Sequence, residues 1–222
     1  MNVLILGATG MVGQAVLREC LLDEGVTRVV TLGRSHVAQE HSKLRQIVHA
    51  DLLALAPVED QLTDLDACFY CVGVSAVGLS EAEYTRVNHD VTLSVAATLA
   101  RLDPGMTFVY VSGAGTDSSE RGRVMWARVK GRTENALLRL PFRAAYMLRP
   151  GAIVPMHGVK SRTFWYRVLY AVMTPVSPLL SRLFPRYVTT SERVGKAMLR
   201  LARSGYRGQV LENREIDQLG DF

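Results

Sequence analysis

Seven residues near the start of the chain restrict its fold more than any other stretch: Gly7, Ala8, Thr9, Gly10, Met11, Val12 and Gly13. They follow a short apolar run at 2–6 and open a segment, 11–22, in which Val12, Ala15, Val16 and Leu17 recur with helical spacing. Strand, glycine turn and helix in that order predict a phosphate-binding βα unit. Gly7 permits the tight turn, Gly10 lets the backbone approach a pyrophosphate, and Gly13 lets the helix pack closely on the sheet. The helix N-terminus supplies free N–H donors. The spacing differs by one residue from the Gly-x-Gly-x-x-Gly fingerprint, so the flanking strand and helix carry the reading.

The same pattern continues along the chain. Apolar or β-branched runs at 27–32, 44–48, 67–72, 107–111 and 144–148 predict strands, and helical patterns at 81–102 and 124–140 separate most of them. Strands alternating with helices predict an α/β protein with a doubly wound parallel sheet of the Rossmann type, covered on both faces. A last helix over 192–202 is expected to be capped by the Thr189 hydroxyl with Glu192 three residues on, and a short strand at 209–212 to close the sheet. One domain is expected over 1–222, with 155–190 as a small helical lid or substrate region.

With 222 residues, 48% of them hydrophobic, the chain can bury a core without disulfides or metal. Cys20, Cys68 and Cys71 are an odd set, and the first residues show no basic segment ahead of a long apolar one. A cytoplasmic protein is therefore expected. Residues 1–111 hold 7 Lys/Arg against 13 Asp/Glu, and residues 112–222 hold 19 against 8. The balance of −6 against +11 lets the second half attract an anion: a phosphorylated cofactor, an acidic substrate, a membrane surface or a polyanion.

The second strand runs into Gly33, Arg34 and Ser35. An NAD site needs an acid about there for the ribose 2′-hydroxyl, whereas an NADP site needs a cation for the 2′-phosphate. Arg34 occupies the place and no carboxylate does. NADP is thus favoured over NAD, with a guanidinium fork on the phosphate and a further bond from Ser35. A solvated surface arginine is the alternative.

These features make the chain similar to the short-chain dehydrogenase/reductase superfamily in its atypical and extended branches, including Tat-interacting-protein-like oxidoreductases and NAD-dependent epimerase/dehydratase-like proteins. The resemblance implies further cofactor contacts at Asp51 and Leu52 after the third strand, and at Cys71, Val72 and Gly73 after the fourth. Asn88 matches in the following helix, Ser112 ends the fifth strand, and Lys130 lies in the helix after it. Leu148, Arg149, Pro150 and Gly151 follow the sixth strand, the last two beside the cofactor. The resemblance fades after about residue 155.

One position departs from the family pattern. The superfamily sets a tyrosine four residues before its lysine, so that both share a helix face. Here Trp126 stands four residues before Lys130. An indole donates a hydrogen bond but does not titrate near neutral pH, so it cannot exchange a proton with a carbonyl or hydroxyl. Three readings follow. Lys130 keeps its cofactor role while another group handles protons, with Ser112 binding a substrate oxygen; or solvent supplies the proton; or the site binds cofactor without turnover. Trp126 then serves as a packed apolar ring.

Other signals carry less. Cys68 and Cys71 have redox or zinc spacing, but residues three apart on a strand face opposite ways and there is no second cysteine pair. The five histidines, His36, His41, His49, His89 and His157, show no metal spacing, so no metal site is expected. Tyr110, two before Ser112, excludes a hydrolase elbow, and no Gly-Lys-Ser/Thr loop is present. Over 161–187, Phe164, Trp165, Val168, Leu169, Val172 and Met173 share a helical stripe with Arg162 and Arg167 off it. That suits a lid over an anionic small-molecule substrate, or a peripheral membrane contact. Nucleic acid is not expected. The function these readings favour is an NADP(H)-dependent oxidoreductase or epimerase acting on a small carbonyl or alcohol; the alternative is a catalytically silent NADP(H) sensor or scaffold.

Overall fold

The structure is a computed structural model, described here over residues 1–158 and 187–221. Seven parallel strands form the main sheet: β1 (Asn2–Leu6), β2 (Arg28–Gly33), β3 (Leu44–Val48), β4 (Ala67–Tyr70), β5 (Thr107–Val111) and β6 (Ala144–Arg149), joined at the edge by Val210–Glu212. Between these last two, a pair of short parallel strands, β7 (Ala152–Val154) and β8 (Val188–Thr190), forms a second sheet, so the edge strand is β9. The order is β3-β2-β1-β4-β5-β6-β9. The chain moves outward from β1 to β3, then returns past β1 to start β4. That reversal leaves a crevice at the carboxyl ends of β1 and β4, where open α/β sheets take their ligands.

Strands this apolar are stable because both faces are covered. On one face Val3, Ile5, Phe69, Val109 and Leu148 pack against α1 (Met11–Leu22) and α5 (Ser191–Ser204). On the other, Leu4, Leu6, Tyr70, Phe108, Tyr110 and Met147 meet Val95 and Leu99 of α3 (Val91–Leu102) and Leu137 of α4 (Met125–Leu137). Cys68 joins the second layer and Cys71 the first, the opposite facing expected of a three-residue spacing.

Two expectations need correction. The helical stretch 81–102 is not uniform: α2 (Glu81–Thr85) passes through a π-helical turn, Arg86–Asp90, before α3. Such a turn inserts one residue into the helical repeat, which hydrophobic spacing does not reveal. The cap of α5 is Thr190 rather than Thr189: its hydroxyl accepts from the Arg193 N–H at 3.2 Å. Thr189 instead donates to Asp217 at 2.6 Å, holding β8 to α6 (Asn213–Gly220), a helix with no counterpart in the sequence reading. The proposed lid stripe lies outside the described residues. Among the described residues, no helix is long and apolar enough to cross a membrane.

Gly131 shows how tightly α4 is seated. A Cβ there would stand 1.8 Å from the carbonyl oxygen of Asp117, whereas Gly33 has nothing within 4 Å. Gly131→Ala is expected to cost about 2–3 kcal/mol of unfolding free energy, overpacking outweighing the helical preference for alanine. Gly33→Ala should be near neutral. Denaturant midpoints of the two variants check the contrast.

Candidate functional site

The glycine turn is built by close approach. Gly7 has φ +81°, and a Cβ on it would stand 2.7 Å from the carbonyl of Cys71 at the end of β4; one on Gly13 would stand 2.1 Å from the Gly7 oxygen. Gly10 donates to the Gly7 carbonyl at 2.9 Å, and its own carbonyl receives the first helical bond, from Gln14. No side chain caps α1 and no acid lies in its first turn. The N–H groups of Met11, Val12 and Gly13 precede that first bond, so the positive end of the helix faces outward.

In front of it lies a cleft of about 370 Å³. It is lined by Gly10, Met11 and Val12 from the turn, Cys71, Val72 and Gly73 after β4, Val111, Ser112 and Gly113 after β5, Pro150 and Gly151 after β6, and Lys130 of α4. The fold thus gathers most of the sequence candidates at the carboxyl ends of β1, β4, β5 and β6. Gly7 and Gly13 belong to the turn that carries Gly10, Met11 and Val12 but do not themselves line the cleft. The others lie elsewhere. Arg34 and Ser35 are exposed just past β2, Asp51 turns back to accept from the Leu53 N–H at 3.0 Å, and Leu52 packs on the core. Thr9 borders a separate groove of about 620 Å³ beside α1, with His36, His41 and His157. Among the described residues no group of three His, Cys, Asp or Glu side chains could hold a metal.

Two side chains give the cleft its chemistry. Lys130 is 8% exposed; its Nζ donates to the Val111 carbonyl at 3.3 Å and sits 4.8 Å from the centre of the Tyr110 ring. Burial disfavours the ammonium and brings its pKa down from 10.5 to about 8, against a smaller upward pull from Glu134. Ser112 shares a 2.8 Å bond with Thr116, whose single proton goes to the Gly113 carbonyl, also at 2.8 Å. The Ser112 proton therefore points to Thr116. Its oxygen is left to accept from a ligand.

Trp126 is not among the residues lining the cleft. Its ring lies 3.6 Å from where a Cβ on Gly115 would stand, packed on the loop after β5. Asn88, in the π-helical turn, is 1% exposed; its amide donates to the Tyr84 carbonyl, while Oδ1 has no partner among the described residues and lies 3.5 Å from a Cβ placed on Gly73. The sequence matched Asn88 but not the turn that exposes its oxygen toward the Gly73 backbone. Cys71, in the cleft wall, is pushed up to about 12 by burial, which leaves a neutral thiol.

The Lys130 shift sets a pH signature. Between about pH 8 and 10.5 the unfolded chain binds the proton that the folded amine has lost, so this group's contribution to stability rises with pH across that window. Buried Cys and Tyr groups act oppositely, because their raised values make the folded state the better proton binder. The difference isolates Lys130. The stability of wild type relative to Lys130→Met is expected to rise by up to about 3 kcal/mol from pH 8 to 10.5, measured by denaturant unfolding.

Comparison with known proteins agrees with this geometry. The family model of the NAD dependent epimerase/dehydratase family matches residues 3–121. Protein fmp52, mitochondrial, of Emericella nidulans is 31% identical over 159 residues, covering 68% of this chain and 66% of that protein. Protein FMP52, mitochondrial, of Eremothecium gossypii is 26% identical over 220 residues, covering 97% and 96%. Among solved structures, MoeE5 in complex with UDP-glucose and NAD superposes with a TM-score of 0.70 at 18% identity, covering 99% of this chain and 81% of that one. The Helicobacter pylori ADP-L-glycero-D-manno-heptose-6-epimerase gives 0.67 at 17%, covering 100% and 83%. The cytoplasmic expectation is overturned by the mitochondrial names of these relatives: free buried thiols fit any reducing compartment, so cysteine count could not identify one. By its matched sequence, the chain belongs to the NAD dependent epimerase/dehydratase family.

Proposed function

We propose that the protein is an NADP(H)-binding oxidoreductase or epimerase-like enzyme of the short-chain type, acting on a small carbonyl or alcohol. One observation carries this reading: a bare helix N-terminus, the glycine turn that opens it and a buried lysine meet at one cleft at the strand ends. The residues present fit a dinucleotide. The first-turn N–H groups of α1 suit a pyrophosphate, Gly73 and Gly151 keep the walls low, and the orphaned Asn88 oxygen lies behind Gly73. NADP is favoured over NAD because Arg34 and Ser35 stand exposed past β2, and among the described residues Arg34 makes no ion pair. The neighbour MoeE5, solved with NAD, supports a nicotinamide dinucleotide at the same fold position without choosing between the two.

A nicotinamide coenzyme supplies the hydride donor or acceptor. The chain's own groups then divide the remaining work. Lys130 offers an N–H to a ribose hydroxyl or substrate oxygen and, with a pKa near 8, holds or releases a proton at neutral pH. Ser112 accepts from a substrate hydroxyl and so fixes its orientation. The net positive charge of residues 112–222 suits an anionic substrate. A second reading, a coenzyme sensor without turnover, is supported by Trp126 lying off the cleft with no titratable group at the family's tyrosine position.

Calorimetry with NADPH and NADH tests the coenzyme. NADPH is expected to bind more tightly, and Arg34→Asp to cut that preference at least about tenfold, one lost charge-assisted contact being worth about 1.5–3 kcal/mol. No heat from either nucleotide sinks the proposal. Screening a carbonyl panel with NADPH separates the two readings. Turnover that falls about 10²-fold in Lys130→Ala supports the enzyme, whereas tight binding with no oxidation of NADPH in wild type or Trp126→Tyr supports the sensor.

A further inference from the structure

Lys130 and Glu134 stand one turn apart on α4, the spacing at which an amine and a carboxylate ordinarily pair. Here they do not pair. The Glu134 carboxylate, 1% exposed, is taken by the Arg149 guanidinium at the end of β6: Nε donates to Oε1 at 3.1 Å and Oε2 at 3.2 Å, and Nη2 to Oε2 at 2.5 Å. The same guanidinium donates to Ser118 in the loop after β5 and to Glu212 at the end of β9. Lys130, left without a carboxylate, turns to the Val111 carbonyl and the Tyr110 ring.

We propose that Arg149 is a positioning residue for Lys130: by holding both oxygens of Glu134, it denies the lysine an ion pair along its own helix and keeps Nζ at the cleft wall. The competition favours arginine because a planar fork matches both carboxylate oxygens, while an ammonium is a single point charge. Arg149 also leads directly into Pro150 and Gly151 of the cleft, so one guanidinium fixes the cleft's lysine and one of its walls. The functional meaning of this device rests on the reading of Lys130 above; the device itself does not.

The titratable groups facing Lys130 are Glu134 on its own helix, Tyr110 from β5 and Cys71 after β4, with Tyr70 and Tyr84 behind Tyr110. Burial raises the tyrosines and the thiol, which stay neutral below pH 9. Among the described residues, the carboxylate of Glu134 is the one charge that acts on the amine in that range. Releasing it should raise the lysine's titration midpoint.

The test follows the Lys130 amine itself, in full-length protein without coenzyme, by the pH dependence of its acylation with acetic anhydride read by peptide mass spectrometry. Arg149→Met is expected to move the midpoint up by about one unit or more, at least about a fivefold drop in neutral amine at pH 8. The double variant Arg149→Met with Glu134→Gln should show no rise, because no carboxylate is freed. An unchanged midpoint in the single variant, or an equal rise in both, overturns the proposal. Should Arg149→Met fail to fold, Arg149→Lys keeps the charge without the fork and should still raise the midpoint; no change there overturns the proposal equally. Because coenzyme is absent, failure to bind NADP(H) and failure of this device are read separately.

Discussion

The cleft depends on backbone passing where no side chain could stand. Gly7 lies against the carbonyl of Cys71 and Gly13 against the carbonyl of Gly7, at distances a Cβ atom cannot occupy. These contacts seat α1 with its first turn over the ends of β1 and β4, and that seating aims the free N–H groups outward. A methyl group at either glycine would lift the helix and turn its positive end away. The ligand chemistry at this end of the sheet is therefore set by steric exclusion before any polar side chain takes part.

What the sequence made legible follows from the range of the forces involved. Strands buried on both faces show as continuous apolar runs, and β1, β5 and the start of α1 were readable to the residue, as was β3 although only Ile47 of it is buried. Glycine positions betrayed the turn beside the cleft because backbone conformation is a local property. The contacts of Lys130 were less accessible. Its match to the family motif identified the residue, but burial over Tyr110 and the absence of a carboxylate partner depend on β5 and β6, which lie 19 residues away on either side. The π-helical turn at Asn88 was invisible for a related reason: one inserted residue shifts the helical phase by about 100°, no more than the width of an ordinary apolar stripe.

The site also shows how a family pattern can lose one member and keep the rest. With the tyrosine present, a lysine's task is to favour its phenolate; with Trp126 there, that task has no object. Yet Lys130 stays buried at the cleft rather than relaxing to solvent, at a cost in desolvation that the Tyr110 ring and the Val111 carbonyl only partly offset. An anionic dinucleotide or substrate in the cleft, as proposed above, would offset that desolvation by pairing with it.

The balance of buried charge points the same way. Arg149 and Glu134 neutralise each other, with Glu212 reaching in from the surface, so the carboxylates near the cleft are spoken for. Among the described residues, what remains at the cavity is Lys130 and the positive end of α1, with no acid in that helix's first turn to oppose them. Two positive groups lining one cleft favour an anion there whatever the net charge of the whole chain. A neutral ligand would leave both unanswered. A molecule with negative charge at one end and a hydrogen-bonding oxygen near Ser112 at the other would answer both, and the separation of the two groups, rather than net charge, sets which anions are long enough to do so.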